Sequence, residues 1–510
     1  MSDDLEKSLG TIATGGSILF FGTIFGILLN VINQILLGRF LGVDGYGLFY
    51  LGYTIIILFL PFSALGLSGS LPRFLPFHYA KGEKDIVKSA IHFSQLLIFF
   101  ISLLLGITLY FLSERLSVEI FHNNNLTIVL KYFSIGLPLF SLSDLLSGVI
   151  QAFKGAKYKV GIYDIGILLV RIIILIPFII IGYSLFGAII ALLIAMIFTI
   201  FSSIYVIRKK LFTDHSKYQI VPVAKNLLIF SWPLTLSYMV YLCSSKTDVI
   251  LLGIFRNSSD IGIYMPSFVI AQYVTLFSAP FSYMFLPVIS ELFSKRRFDI
   301  IESLFKSASK WIILLVLPIY IYFILFPREI ISLLFGVNFS SGYLSLIILV
   351  TGVSSGVFTG FTGNILVGGG YTKSYLSFEI LGAITIISVG VILIPIYGII
   401  GAAICVSASY FIRSLASLIF VYKKTSMHPY NKSYIGIVFS GLVILIIGFI
   451  LKMQILYLFT STIGALLVGL IIFILYFILI WYTKCLDQND IFIIKLMIKK
   501  IRTNIKINKE

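Results

Sequence analysis

Residues 35–50 read ILLGRFLGVDGYGLFY, and residues 250–265 read ILLGIFRNSSDIGIYM. Ile, Leu, Leu, Gly, Phe and a later Gly coincide without a gap. The same offset sets Leu71-Pro72 on Leu286-Pro287, Gly148 on Gly363 and Asp164 on Glu379. Matches of Ile and Leu alone are cheap in an apolar chain. A shared register of Gly, Phe, Pro and acid across several separate stretches is not. The chain reads as a duplication, with repeats over residues 1–210 and 226–424.

Each repeat is built of long apolar runs. The 510 residues are 59% hydrophobic and 12% charged, too little polar sequence to coat a water-facing surface. A bilayer core about 30 Å thick takes roughly 20 apolar residues as helix. Some fourteen such stretches are predicted, from 14–37 and 47–68 through 261–286 as the eighth to 433–451 and 455–482. Lipid offers backbone groups no partners, so each span must be a helix or part of a closed barrel. Runs of this length without alternation exclude the barrel. The expected fold is an all-α polytopic membrane protein: two pseudo-symmetric six-helix bundles plus two C-terminal helices. Six spans per repeat send both halves in from one side, as in transporters whose repeats are related by an axis along the membrane normal.

The charge pattern supports that count. With the N-terminus inside, roughly 29 Lys and Arg fall in inner segments and roughly six in outer ones. The inner set includes Arg73, Lys81, Lys84 and Lys88, then Lys295, Arg296 and Arg297, then Lys423 and Lys424; Arg39 and Arg256 are outer. Slipping by one helix would erase the asymmetry. The net charge of +17 is therefore a topology signal and an attraction for anionic membrane lipids, with no nucleic-acid partner implied. Both termini are predicted to be cytoplasmic, on a multi-pass protein of the cell membrane. No cleavable leader is expected, since residues 1–10 are polar and carry Asp3, Asp4 and Glu6.

No loop is long enough for a soluble domain. Residues 211–225 form a basic linker between the N-terminal lobe, 1–210, and the C-terminal lobe, 226–424. Residues 425–485 supply the extra helix pair, and 486–510 a basic amphipathic tail suited to the membrane interface. Cys243, Cys405 and Cys485 are odd in number and far apart, so neither a disulfide framework nor a metal site is expected. Residues 368–374, GGGYTKS, lack the Gly directly before Lys of a phosphate-binding loop and follow a span, not a strand. No D-x-D pair or H-E-x-x-H occurs, so no catalytic residues and no cofactor are expected; the chain reads as a transporter, not an enzyme.

Three local stretches carry a resemblance. Residues 30–50, NVINQILLGRFLGVDGYGLFY, contain R-x-L-G-x-x-x-Y-G at 39–47; residues 66–84 read GLSGSLPRFLPFHYAKGEK; residues 151–159 read QAFKGAKYK. Together with the helix count, they resemble the multidrug/oligosaccharidyl-lipid/polysaccharide exporter superfamily, in its polysaccharide-transporter, O-antigen flippase-like branch. That resemblance implies movement of a lipid-linked oligosaccharide, on a polyprenyl or dolichyl pyrophosphate, by alternating access. It also implies glycan-assembly proteins as possible partners. Two alternatives stay open, an ion-coupled exporter of small drugs or cations and a lipid II-type flippase. The drug-exporter branch usually stops at twelve spans, which counts against it.

Such a cargo asks for cations in a wet cavity and polar groups for sugar hydroxyls. An intramembrane charge normally faces a cavity or a partner. Arg171, in the middle of the fifth span, is the foremost substrate-binding candidate; the alternative is a structural pair with an acid such as Asp144. Lys246, Arg39, Arg73 and Asn33 are further substrate candidates, against snorkelling, interfacial anchoring or helix–helix glue. The amides of Asn30 and Gln34 read first as glue. Arg413 reads as a snorkelling or paired residue. Asp144, Asp248, Asp164 and Glu379 are the acids that coupling to a proton or sodium gradient would use. Asp164 and Glu379 also sit where a helix dipole favours negative charge without any such role.

Overall fold

The computed structural model describes residues 2–153, 155–211, 221–431, 433–458 and 461–483. The basic tail, 486–510, and the middle of the 211–225 linker lie outside the described residues. Among those residues all regular structure is helical. The helices are α1 Ser2–Ala64, α2 Leu67–Ala80, α3 Lys84–Arg115, α4 Asn124–Ala152, α5 Ala156–Lys159, α6 Ile167–Ile181, α7 Ser184–Val206, α8 Ala224–Phe255 and α9 Ser258–Gln272. They continue with α10 Ser278–Ser294, α11 Phe298–Leu325, α12 Pro327–Phe335, α13 Tyr343–Phe358, α14 Thr362–Gly368, α15 Thr372–Tyr397, α16 Ile399–Thr425, α17 Ser433–Leu458 and α18 Ser461–Tyr482.

The chain is an all-α, multi-pass membrane protein. Among the described residues, twelve helices are long and apolar enough to cross a membrane. Two local features account for the difference from fourteen apolar stretches. The first two stretches run on within α1, broken only at Gly42, whose φ of 66° and ψ of −178° belong to a region that is essentially glycine's alone. The eighth stretch, 261–286, is interrupted: α9 ends at Gln272 and one short 3-10 segment, Tyr273–Phe277, precedes α10. Neither piece alone reaches the length of a span.

The packing is that of helices in lipid. On α3, Ser94, Ser102, Gly106 and Ser113 are buried, while Phe100, Leu104 and Phe111 point outward. Lipid tails are as apolar as Leu, so association relies on close backbone approach at small residues. A Cβ on Gly106 would lie 2.7 Å from the Ser134 carbonyl oxygen of α4. Two of the buried hydroxyls cost little because they satisfy themselves: Ser102 and Ser113 donate to the carbonyls of Phe99 and Tyr110 at 3.1 and 2.7 Å.

Two compact units emerge. One comprises Met1–Pro266, Leu334–Phe339 and Glu379–Cys405. Inside it the two quoted stretches meet. A Cβ on Gly47 would strike the Ser258 backbone, and a Cβ on Gly262 would strike the Val43 backbone. Gly47 and Gly262 are the same position in the two repeats, and so are Val43 and Ser258. The contact is reciprocal, the signature of a local two-fold relation. The other unit comprises Ser267–Leu333, Ser340–Phe378 and Val406–Glu510. There α11 carries the extra pair, with Gly448 of α17 and Gly469 of α18 seated on Leu325 and Tyr322.

Candidate functional site

A cavity of about 380 Å³ opens within the first unit. Its lining follows from helical periodicity. Gly26, Ile27, Asn30 and Gln34 share one face of α1 before Gly42, and Phe49, Tyr50 and Tyr53 share one face after it. Opposite stand Tyr163, Asp164, Ile167, Leu168 and Arg171, followed by Leu192 and Met196 of α7. The segment Val160–Gly166 is a π-helix, the wide turn that often marks functional sites. It abuts α1 because Gly26 has no side chain: a Cβ there would sit 2.7 Å from the Asp164 carbonyl oxygen. The Tyr163 hydroxyl donates to the Ser143 carbonyl at 2.9 Å and lies 2.9 Å from Ser203 Oγ, which fixes its ring.

Gln34 is the polar hub. Its Oε1 accepts from Tyr50 at 2.5 Å and from Tyr46 at 3.2 Å, and its Nε2 donates to Asn30 Oδ1 at 3.5 Å. The guanidinium of Arg171 lies 5.3 Å from the centroid of the Phe49 ring. Its Nε and Nη2 are buried and bond to nothing. Among the described residues no ion pair joins Arg171 to an acid, and Asp144 is not its partner. The Asp144 Oδ2 is itself buried and unpartnered, and Ser68 is the polar side chain near the carboxyl. A guanidinium stays charged in proteins. An aromatic face and tyrosine hydroxyl dipoles are what this one has around it.

Of the residues singled out from sequence, the structure brings Arg171 and Asp164 into one cavity, with the amides of Asn30 and Gln34. The others stand elsewhere. Asn33 is fully buried with both amide atoms unpartnered. Asp248 on α8 is 1% exposed and accepts from the Tyr264 hydroxyl at 2.6 Å; Lys246 is half-buried two residues before it. Arg39 is exposed and its Nε donates to the Leu334 carbonyl at 3.0 Å. Arg73 is exposed on α2, and Arg413 lies over the Tyr410 ring at 4.8 Å. Glu379 is half-buried, its carbonyl accepting from Ser244 Oγ at 3.4 Å. Sequence reading passed over Phe49, Tyr50, Tyr53 and Tyr163. A signal was present, since Tyr46, Tyr50 and Tyr53 follow the first interhelical joint at helical spacing.

Comparison with known proteins agrees with this architecture. The family described as polysaccharide biosynthesis protein matches residues 12–293. An uncharacterised membrane protein of Methanocaldococcus jannaschii is 25% identical over 423 residues, covering 78% of this chain and 82% of its own length. A probable low-salt glycan biosynthesis flippase of Haloferax volcanii is 26% identical over 172 residues, 34% of this chain and 36% of that protein. Among solved structures, a lipid II flippase in an inward closed conformation superposes with a TM-score of 0.68 at 19% identity, covering 90% of this chain and 98% of that one. At that identity the likeness shows a shared fold. The resemblance to polysaccharide transporters read from the loops is borne out.

Proposed function

The chain belongs to the polysaccharide biosynthesis protein family, and from that premise we propose that it is a flippase carrying a lipid-linked oligosaccharide across the cytoplasmic membrane by alternating access. One observation carries the reading: Arg171 keeps two guanidinium nitrogens, Nε and Nη2, buried and unpartnered beside a cavity lined by tyrosines, amides and Asp164 within the transmembrane bundle. Placing an Arg at the centre of a membrane helix costs about 2.5–3.5 kcal/mol on insertion scales. With no acid paired to it, the residue is accounted for by negative charge that it meets during the working cycle. A glycan on a polyprenyl or dolichyl pyrophosphate supplies that charge. Its hydroxyls suit Asn30, Gln34 and the tyrosines, and its tail stays in lipid. A fixed cation in the cavity favours such a cargo over a drug cation.

The positive-inside pattern supports a cytoplasmic location for both termini. Transport needs no covalent step, and none is assigned. Coupling to a proton or sodium gradient would use Asp164, which shares the cavity with Arg171, or the unpartnered Asp144, with Asp248 and Glu379 as the remaining acids. Proteins that assemble the glycan on one face and use it on the other are the fitting partners.

The test is a leaflet assay in proteoliposomes with a labelled polyprenyl- or dolichyl-pyrophosphate oligosaccharide. The protein should move the label between leaflets, and Arg171→Ala should slow it at least about tenfold without loss of folded protein. No transfer above empty liposomes removes the flippase reading. Unchanged rates in the variant remove Arg171 from the path.

A further inference from the structure

We infer that Asn338 is a site of N-linked glycosylation, receiving an oligosaccharide from a lipid pyrophosphate on the outer side of the membrane. The inference needs the orientation of the chain and not the identity of its cargo.

The sequence holds four acceptor triplets of the form Asn-x-Ser/Thr with no Pro between: Asn125-Leu-Thr, Asn257-Ser-Ser, Asn338-Phe-Ser and Asn431-Lys-Ser. Under the positive-inside pattern the first three fall outside, and Asn431 falls inside, close to Lys423 and Lys424. Burial follows the same division. Asn125, Asn257 and Asn338 are exposed. Asn431 is half-buried, and its Oδ1 is enclosed without a partner. Such triplets also arise by chance, so the surroundings of each must decide.

The structure separates the three outer triplets. Transfer needs the amide and the hydroxyl two residues on to reach one enzyme site together. Asn125 lies in the first turn of α4, where its backbone N–H donates to Asn123 Oδ1 at 3.1 Å and Leu126 is fully buried. Asn257-Ser-Ser is held in the contact between the repeats: Ser258 Oγ accepts from Asn123 Nδ2 at 3.2 Å, and the Ser259 hydroxyl donates to Asp44. Both triplets are committed to packing.

Asn338 has a different setting. It lies between α11 and α13, in residues 326–342, the longest outer connection among the described residues. Its own segment, Val337–Gly342, is a short 3-10 helix, whose hydrogen-bond geometry is poorer than that of an α-helix. Gly336, with a φ of 110°, turns the chain just before it, and a Cβ there would meet nothing within 4 Å. Val337 is 75% exposed. A bulky glycan has room here. Phe339 is buried, its ring 5.9 Å from that of Tyr46, and pins the middle of the triplet. Transfer therefore precedes the docking of Phe339, while the segment is newly delivered to the outer side.

The step balances without a redox partner. Asn338 Nδ2 forms a bond to C1 of the first sugar, and the bond from C1 to the phosphate oxygen breaks. The lipid pyrophosphate leaves, and one amide proton passes to a base of the enzyme. The co-reactants are a lipid-pyrophosphate oligosaccharide and a membrane oligosaccharide transferase acting on the outer face. The product is bulky and polar. It cannot re-enter lipid, so it locks the 326–342 connection outside.

The experiment is peptide mapping by mass spectrometry on the full-length protein purified from the membranes of its own cells. The peptide holding Asn338 should carry an added mass of whole sugar residues, with fragments that place it on the Asn. Asn338→Gln and Ser340→Ala should lose that mass, and Ser340→Thr, which keeps the hydroxyl, should retain it. Asn125, Asn257 and Asn431 should be bare. If a variant does not fold, the wild-type map decides. A bare Asn338 in the wild-type protein overturns the inference. So does an added mass that survives Asn338→Gln, or a glycan on Asn125 or Asn257 in place of Asn338. A glycan on Asn431 overturns the orientation on which the inference rests. The flippase reading is decided separately, by the leaflet assay.

Discussion

The Ser259 hydroxyl donates to the Asp44 carboxylate, and the two residues stand 215 positions apart, the offset that lays one repeat on the other. A position has paired with its own copy. That happens where a local two-fold axis passes through a contact, and the flanking reciprocity of Gly47 and Gly262 has the same origin. Duplication gave two similar loops, and the fold set them face to face.

Backbone-to-backbone packing has no side chain to give way. Gly262→Leu and Gly47→Leu should each destabilise the protein by about 1–3 kcal/mol or more, seen as a lowered melting temperature in detergent. A double-mutant cycle between Asp44→Ala and Ser259→Ala should show coupling of about 0.5–1.5 kcal/mol. Additive effects would mean that the hydrogen bond contributes nothing.

Arg256 closes the C-terminal end of α15. Its Nη2 donates to the Pro395 and Ile396 carbonyls at 2.8 and 3.1 Å, and its Nε to Ile394 at 3.3 Å. The last carbonyls of a helix lack the usual intrahelical donors; that of Ile394 also accepts from the Gly398 N–H at 2.8 Å. Arg256→Ala should cost about 1–3 kcal/mol, and Arg256→Lys should recover less than half, because one ammonium cannot span three acceptors. Thermal unfolding of the two variants measures this.

Lys452 fastens α17 to the end of α11. It donates to the Leu325 carbonyl and sits 3.7 Å from Glu329 Oε1, whose carboxylate side chain is 12% exposed. Lys452→Met should raise hydrogen exchange in α12 and at the end of α11, since Glu329 then lacks its cation. Exchange confined to α17 and unchanged at residues 322–335 would contradict this.

Tyr50 and Gln34 define the polar rim of the cavity. Tyr50→Phe removes the 2.5 Å donor to Gln34 Oε1 and leaves Tyr46 as the remaining one. Stability should change by about 1 kcal/mol, while transfer in the leaflet assay falls severalfold. A variant that is destabilised yet transfers at the wild-type rate would assign the pair to structure.

Sidedness is open to single-cysteine labelling of a variant lacking Cys243, Cys405 and Cys485. Cysteines at Lys84, Lys295 and Lys423 should react from one side, and those at Arg115 and Asn125 from the other. Lys84 and Lys295 reacting from opposite sides would overturn the even count of spans per repeat.

Much of this was legible without coordinates. Hydropathy marks spans because lipid leaves backbone groups no alternative to the helix. The repeated Gly, Phe, Pro and acid mark the duplication, and Arg171 stands out because a charge in mid-span is rare. Its surroundings were not legible. Asp144 was the natural acid to set against it, yet the chain turns Asp144 towards Ser68 and gives Arg171 an aromatic ring. Tyr50, Tyr53 and Tyr163 were camouflaged in a chain with 29 tyrosines. The eighth stretch looked continuous because the 3-10 segment at Tyr273–Phe277 changes the winding of the chain, not its hydropathy.

The sequence by itself determined that the chain is helical, that it lies in a membrane, that it is doubled, and which polar groups must be reconciled with lipid. Those properties are additive along the chain and can be summed from composition, periodicity and offset. Only the tertiary structure decided which face of α1 meets Asp164 and Arg171, which glycines meet across the local two-fold axis, and which buried cation lacks an acid. Each depends on distances between residues far apart in sequence, and a fraction of a turn of rotation in any helix would choose different neighbours.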